Sequence, residues 1–374
     1  MNFLFTCGGT AGHINPALGI AGRLRELMPD CGILFVGARG MMETELVPRE
    51  GYDIETVTIT NLQRSFKPKA VIHNIKTVKN VFASTTQARK IIGSFRPDVA
   101  VGTGGYVCYP VLRAAHSMGV PTLVHESNAV PGLTTKMLAG VVDCVMTGFD
   151  GAGENYKPGT KAVFTGTPVR TQFGEMDKAE ARRRLGLERG RPLVLSVWGS
   201  LGADRMNDVM TELIELAAGR ADFSLMHSAG KHGYSKMKKR LDAECPGWEK
   251  HGMDVREYIY DMPTVMAAAD LIICRSGAST LGELTALGKP AILVPSPNVT
   301  GNHQEKNARV LEKCGAAEVL LEGEFTPQSL YGELCRLLGD EAALERMSKS
   351  MSAAGERGAT EKIASLILDY VKQP

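Results

Sequence analysis

A histidine that opens a helix directly after a glycine-rich loop is a candidate proton acceptor, and His13 stands in such a place. It follows Cys7-Gly8-Gly9-Thr10-Ala11-Gly12 and precedes a helical stretch containing Pro16. The positive end of a helix favours an imidazole in its neutral form, which can take a proton from a substrate hydroxyl. A capping or purely structural histidine would have the same local sequence. In the second half, Arg275-Ser276-Gly277-Ala278-Ser279-Thr280-Leu281-Gly282-Glu283 starts another helix. Gly277 lets backbone come close to a ligand, and Ser279 or Thr280 can cap the helix. Glu283, one turn in, suits the two hydroxyls of a ribose as well as it suits the ordinary role of a capping acid. Asn302-His303-Gln304-Glu305-Lys306-Asn307-Ala308 gathers amide side chains at a loop-to-helix junction, where they can meet sugar hydroxyls. No Asp-x-Asp pair occurs to hold a metal ion against a diphosphate. The charge of a departing diphosphate must then be met by helix ends and by an arginine such as Arg170.

These residues need elements to position them, and one device recurs four times. A short apolar strand runs into a glycine-rich loop that opens into a helix at Phe3–His13, Val99–Tyr106, Leu193–Gly202 and Leu271–Ala278. Backbone N–H groups at such a helix start form a site for phosphate or another oxyanion. The first loop lacks the G-x-G-x-x-G spacing, and the second strand ends at Gly37 where a ribose-binding acid would be expected, which argues against a nicotinamide enzyme. Continuous apolar runs at Ile33–Val36, Val99–Val101, Thr122–Val124, Val141–Met146, Leu193–Val197, Leu271–Cys274 and Ala291–Val294 predict parallel strands buried on both faces. The fold class is therefore α/β, with two Rossmann-like, doubly wound parallel-sheet domains gripping a phosphorylated substrate between them. The expected division is residues 1–166, 167–345 and a helical tail, 346–374, packing back across the join. A strand at Ala162–Thr165 closes the first domain, and a charged helix at Lys178–Leu187 opens the second.

At 374 residues, with 44% hydrophobic and 22% charged residues, the chain suits a globular protein of two ordinary domains. No apolar run approaches the roughly 18 residues that span a bilayer. The N-terminal residues read as a first strand and not as a signal peptide. Eight cysteines without a C-x-x-C pair read as reduced, buried thiols of a cytosolic protein. A net charge of +2 gives no general reason to bind nucleic acid. The charge is uneven, however. No acidic residue lies between Glu55 and Asp98, an interval that carries Arg64, Lys67, Lys69, Lys76, Lys79, Arg89, Lys90 and Arg96. Val71, Ile75, Val78 and Phe82 recur within it at helical spacing. That is either an amphipathic helix for an anionic lipid surface or a core-facing stripe with a basic solvated face.

Seven motifs in order along nearly the whole chain, CGGTAGHINPA, GTGGYVCYP, HESNAVPG, GTPVR, WGSLGA, RSGASTLGE and NVTGNHQEKNA, resemble the MurG family of bacterial N-acetylglucosaminyltransferases of peptidoglycan synthesis. The resemblance implies a GT-B fold with an interdomain cleft; no cofactor is expected, and with no Asp-x-Asp pair no metal site is expected either. It implies transfer of GlcNAc from UDP-GlcNAc to the C4 hydroxyl of undecaprenyl-diphospho-MurNAc-pentapeptide, with inversion. It implies His13 as the base with help from Glu126, and Gly104, Gly105 and Tyr106 against the acceptor diphosphate. Donor contacts carry over to Thr10, Ala11, Gly12, Asn128, Arg170, Ser200, Ile259, Ala278, Ser279, Thr280, Leu281, Gly282, Glu283 and Gln304. The stretch Lys67, Lys69, Ile75, Lys76, Val78, Lys79 and Phe82 falls where a membrane-associating surface is expected. The implied location is peripheral, on the cytoplasmic face of the cell membrane, with cell-wall and division proteins as further partners. Four positions depart from the family pattern, the smallest change being Ala11 in place of a frequent Gly. Cys108 and Tyr109 stand where Ser and Gly are common, and Trp198 replaces the first glycine of the third loop; Trp198 is expected to pack beside a helix with Ser200 still facing the donor. Rival readings are a UDP-GlcNAc 2-epimerase, which needs no basic apolar surface, a diacylglycerol glycosyltransferase, which needs no diphosphate-holding Gly104-Gly105 loop, and a non-catalytic nucleotide-sugar sensor.

Overall fold

The computed structural model describes residues 1–59, 68–170, 173, 176–187, 190–199 and 202–371, with the backbone alone at 68–79 and 300. The chain forms two compact units, Met1–Thr171 with Glu356–Pro374, and Gln172–Gly355. The divisions thus fall at 171/172 and 355/356, against the expected 166/167 and 345/346.

The first unit contains strands β1 (Asn2–Thr6), β2 (Gly32–Ala38), β3 (Asp53–Val57), β4 (Val99–Gly102), β5 (Thr122–Glu126), β6 (Cys144–Thr147) and β7 (Ala162–Phe164). Its helices are α1 (Ala11–Leu27), α2 (Glu43–Arg49), α3 (Pro68–Phe95), α4 (Cys108–Ser117), α5 (Leu133–Leu138) and, last in the chain, α14 (Ala359–Val371). The strands form one parallel sheet in the order β3-β2-β1-β4-β5-β6-β7. Alternate side chains enter two cores. Phe3 and Phe5 of β1, Ile33 and Phe35 of β2, and Val99 and Val101 of β4 pack against Ile14, Ala17, Ile20 and Leu24 of α1 and Ile363, Ala364 and Ile367 of α14. Leu4, Leu34, Val36 and Ala100 pack on the opposite face against Ile91 and Ile92 of α3 and Val111 and Leu112 of α4. Burial on both faces explains why these strands read as unbroken apolar runs. The expected strand Val141–Met146 begins only at Cys144, because Val141 N–H turns back to Leu138 O at 2.7 Å.

The second unit contains β8 (Leu193–Val197), β9 (Ser224–Ser228), β10 (Met253–Arg256), β11 (Leu271–Cys274), β12 (Ala291–Leu293) and β13 (Ala317–Val319). Its helices are α6 (Lys178–Arg184), α7 (Asp204–Ala217), α8 (Gly230–Glu244), α9 (Met262–Ala268), α10 (Ala278–Leu287), α11 (His303–Lys313), α12 (Pro327–Leu338) and α13 (Glu341–Ala354). The sheet is again parallel, in the order β10-β9-β8-β11-β12-β13. Val194, Leu271, Ile273 and Ile292 pack against Met206, Met210 and Leu213 of α7 and Leu330 and Leu334 of α12. Of the two C-terminal helices, α13 stays with this unit, while α14 packs into the core of the first.

Each sheet reverses its winding between its first and fourth strands, β1 and β4 in one unit and β8 and β11 in the other. A crevice opens outside the carboxyl ends of parallel strands at such a switch point. Of the four glycine loops, those after β1 and β4 flank one switch point and those after β8 and β11 flank the other.

Candidate active site

In the first unit, two loops interlock. Thr10 caps α1 in an extended conformation, which puts His13 in the first turn. The His13 ring nitrogen Nδ1 lies 3.0 Å from Gly8 O and 3.3 Å from Thr10 Oγ1. A carbonyl oxygen only accepts, so Nδ1 carries the hydrogen, and the neutral ring keeps its lone pair on Nε2. The edge bearing Cδ2 and Nε2 lies against Gly104, where a Cβ would sit 2.5 Å from Cδ2 and 3.0 Å from Nε2. Gly105 is equally confined: a Cβ there would stand 2.3 Å from Gly8 O. Both glycines hold positive φ, at 115° and 90°. Gly8 N–H donates to Gly104 O at 3.2 Å, and Thr103 Oγ1 donates to His13 O at 2.7 Å.

Among the described residues, no acceptor within the chain meets the N–H of Gly104, Gly105 or Tyr106. Successive unpaired amides of this kind make a concavity for an oxyanion. The first loop differs from its sequence reading: Gly8 N–H is taken by Gly104 O, and Gly9 N–H by a carboxylate, Glu43 Oε2, at 3.0 Å. Of the two departures from the family pattern here, Cys108 supports the second loop from behind, while Tyr109 does not touch it through its side chain. Cys108 is fully buried, with Thr6 O and Gly104 O 3.1 and 3.0 Å from its Sγ to share its single S–H; burial pushes its thiol up to about 12. Tyr109 accepts a hydrogen bond from Arg113.

Glu126 ends β5, next in the sheet to β4. Its Oε1 accepts from Asn128 N–H at 3.1 Å and Asn128 Nδ2 at 2.9 Å, and its Oε2 accepts from Gly132 N–H at 2.9 Å. The carboxylate thus closes the turn that presents Asn128. Arg170 is exposed at the end of the unit, with its backbone along α1 at Gly19.

In the second unit, the loop after β11 enters α10 through Gly277, which occupies the N-cap position. Ser279 and Thr280, expected as caps, therefore lie inside the first turn with Ala278; a glycine cap leaves backbone rather than a side chain facing the crevice. Leu281 and Gly282 are buried and Glu283 is half-buried in the next turn. Ser276 Oγ donates to Gln304 O at 2.8 Å, and Ser296 N–H donates to Gln304 Oε1 at 2.8 Å. The Gln304 amide nitrogen is the end left to donate outward. Ile259 lies in the loop after β10 and is buried.

A cavity of about 410 Å³ opens at this switch point, lined by Trp198, Ala203, Arg275, Ser296, Gln304 and Glu322 among others. Trp198 is 4% exposed and packs in the core with Met206. The Arg275 guanidinium lies 5.5 Å from the Trp198 ring centre, donates to Val294 O and Pro295 O, and pairs with Glu322. Ser200 and Lys67 fall outside the described residues, as do the side chains of Lys69, Ile75, Lys76, Val78 and Lys79. Phe82 on α3 is 74% exposed. Among the described residues, no helix is long and apolar enough to cross a membrane.

Glu43 and Glu322 escaped the sequence reading, and Arg275 entered it as the start of a motif with no role of its own. Gly37 is the signal for Glu43: a Cβ there would stand 2.5 Å from Glu43 Cγ, so the glycine at the end of β2 makes room for an acid supplied by the following helix.

Two parallel-sheet, Rossmann-like units, each with glycine loops at its switch point, are the architecture of the GT-B fold. Residues 3–147 match the glycosyltransferase family 28 N-terminal domain and residues 193–363 its C-terminal domain. A UDP-N-acetylglucosamine–N-acetylmuramyl-(pentapeptide) pyrophosphoryl-undecaprenol N-acetylglucosamine transferase of Acetivibrio thermocellus is 43% identical over 373 residues, spanning 100% of this chain and 99% of its own. Its counterpart of the same description in Caldanaerobacter subterraneus is 41% identical over 367 residues, spanning 98% and 99%. The crystal structure of Acinetobacter baumannii MurG superposes with a TM-score of 0.78 at 26% identity, covering 98% of this chain and 99% of that one. The chain belongs to the MurG family of glycosyltransferase family 28.

Proposed function

We infer that this protein transfers GlcNAc from UDP-GlcNAc to the C4 hydroxyl of a MurNAc-pentapeptide carried on undecaprenyl diphosphate, with inversion. The observation that carries this is full-length identity of 43% to a transferase so described. In the reaction, a bond forms between the acceptor O4 and the anomeric carbon on the face opposite UDP. The bond from that carbon to the β-phosphate oxygen breaks, and its electron pair leaves with UDP. The O4 proton goes to His13 Nε2, a role supported by the hydrogen on Nδ1 being committed to Gly8 O. Gly104, Gly105 and Tyr106 hold the acceptor diphosphate through backbone amides, supported by their open N–H groups beside the His13 edge. Glu126 acts by presenting Asn128 to the donor sugar, since its oxygens already accept three N–H groups.

Thr10, Ala11 and Gly12 meet the donor from the start of α1. Arg170, Ser200 and the start of α10 from Ala278 balance the departing diphosphate. Glu283 receives the ribose hydroxyls, the Ile259 backbone reads uracil, and Gln304 donates its amide hydrogens to the sugar. The acid-free, basic stretch ending at Phe82 rests on an anionic membrane surface at the cytoplasmic face, where the acceptor lipid and division proteins are met.

The test is UDP release from UDP-GlcNAc with and without a lipid-diphosphate-MurNAc-pentapeptide analogue. Acceptor-dependent release with a GlcNAc-extended product is expected. Release without acceptor, or conversion to another sugar nucleotide, would move the reading to hydrolysis or epimerisation.

A further inference from the structure

Glu43 is fully buried beneath the first glycine loop and belongs to no role assigned above. It starts α2, and its oxygens divide between two elements: Oε1 accepts from Ala38 N–H at the end of β2 at 2.9 Å, and Oε2 accepts from Gly9 N–H at 3.0 Å. The space it occupies is made by two glycines. A Cβ at Gly8 would come 2.5 Å from Glu43 Oε1, and one at Gly37 would come 2.5 Å from its Cγ. A carboxylate that only accepts suits two N–H donors, and burying it away from the surface is costly unless it is hydrogen-bonded in this way.

The peptide that Glu43 holds is the one that holds His13. Gly9 N–H and Gly8 C=O belong to a single planar peptide unit; its hydrogen points to Glu43 Oε2 and its oxygen receives the His13 Nδ1 hydrogen at 3.0 Å. We propose that Glu43 is a positioning residue for the transfer reaction, acting on His13 through the Gly8–Gly9 peptide. The inference rests on His13 being the base. The carboxylate draws on the amide hydrogen and so enriches the carbonyl oxygen, since hydrogen bonds in a chain polarise one another. The enriched oxygen fixes the Nδ1–H tautomer and stabilises the imidazolium formed when O4 gives up its proton. An acid in direct contact with a catalytic histidine does the same work in a Ser-His-Asp triad; here a peptide unit stands between them.

The remaining titratable groups around this loop do not compete for the role. Burial, then Cys108 and Glu43, raise the Cys7 thiol, and burial raises that of Cys108, so both stay neutral near pH 7. The Tyr106 ring lies over Gly9, and burial followed by the Glu43 charge raises its phenol.

The experiment is a double-mutant cycle on the full chain, with kcat, KM and the pH profile of kcat/KM measured using the acceptor analogue. Glu43→Gln keeps the shape and removes the charge. It is expected to lower kcat by about ten- to a hundredfold, the usual effect of removing a group that orients a reacting ligand from behind, with KM for UDP-GlcNAc little changed. The acid limb of the kcat/KM profile should move to lower pH, because loss of a nearby negative charge weakens proton binding by the imidazole. In a His13→Ala background, Glu43→Gln should cause no further loss, as expected of residues acting as one unit.

A double variant whose loss is the product of the two single losses would overturn the proposal and leave Glu43 a support of the loop. An unchanged kcat in Glu43→Gln would overturn it while leaving His13 as base. A near-unchanged rate in His13→Ala would instead remove the base reading itself, and that variant is measured first. If Glu43→Gln does not fold, histidine ¹⁵N NMR on the unaltered protein decides: a hydrogen on Nδ1 of His13 is expected, and one on Nε2 overturns the proposal.

Discussion

Replacing Gly104 by alanine tests the site where it is tightest. The added methyl would arrive 2.5 Å from His13 Cδ2 and 3.2 Å from Cγ. Ordinary carbon contacts lie at about 3.5–4.0 Å, so ring or loop must yield by about 1 Å. The ring has little freedom to yield, since Nδ1 is held 3.0 Å from Gly8 O and 3.3 Å from Thr10 Oγ1. The loop resists too, with φ of 115° at Gly104, a region costing a non-glycine residue on the order of 1–3 kcal/mol. A displacement of about 1 Å at a reacting group typically costs about a hundredfold in rate. Gly104→Ala should therefore lower kcat for GlcNAc transfer by about that factor and lower Tm by about 2–4 °C per kcal/mol lost. UDP affinity should change less than kcat, because the nucleoside contacts proposed for α10 belong to the other unit. The assay is steady-state transfer to the acceptor analogue alongside calorimetric titration of UDP. Turnover at the rate of the unaltered protein would refute the placement of the reacting hydroxyl at the His13 Nε2 edge.

Other consequences follow from the second unit and from α3. His227 is buried between Ser196 Oγ and Asn207 Oδ1, and burial lowers its pKa to about 3. An unfolded histidine titrates near 6.5, so its contribution is complete above that pH and is lost as pH falls toward 3, at about 1.4 kcal/mol per unit. Denaturant unfolding at pH 7 and pH 5 should show a fall of about 2 kcal/mol from this group, absent in His227→Gln. Trp198→Ala should cost the second unit about 3–5 kcal/mol through loss of a buried aromatic, measured by thermal unfolding. Trp198→Phe should abolish any fluorescence change on adding UDP-GlcNAc, whereas Trp248→Phe should retain it, because only Trp198 lines the cavity. Exchanging Lys69, Lys76 and Lys79 for glutamate should weaken sedimentation with phosphatidylglycerol vesicles by about 1 kcal/mol per lost cation, and transfer to a short-chain soluble acceptor should persist; unchanged sedimentation would argue against this surface.

Much of the architecture was legible because it is written locally. The runs at β1, β4, β8 and β11 are unbroken because both faces of those strands are buried, and the glycines after them mark turns into helices. The strands β3, β9, β10 and β13 were not singled out. In β3, exposed and half-buried residues alternate at a sheet edge until the buried Val57, and β13 contributes only one buried side chain. A half-buried edge carries little of the signal that marks a central strand. The start of β6 was misread for a different reason: Val141 and Val142 are apolar but serve the turn after α5.

Of the candidate residues, His13, Gly104 and Gly105 in the first unit and the start of α10 in the second could be singled out from sequence, since a glycine loop before a helix has few other uses. Their partners could not. Nothing near Glu43 in the sequence points to Gly9, and nothing near Gln304 points to Ser276 and Ser296. Those pairings arise only when strands lie side by side in a particular order. Trp198 was visible as an unusual residue, yet its burial beneath Arg275 depends on Val294, Pro295 and Glu322, which hold the guanidinium from other strands and loops. The return of α14 to the first unit, while α13 remains with the second, is likewise a choice between two apolar surfaces that an amphipathic pattern fits equally well. Periodicity, glycine and helix ends act within a few residues and are readable from the chain. Which buried donor meets which acceptor is decided by strand order and packing, and that is where the carboxylate behind His13 was found.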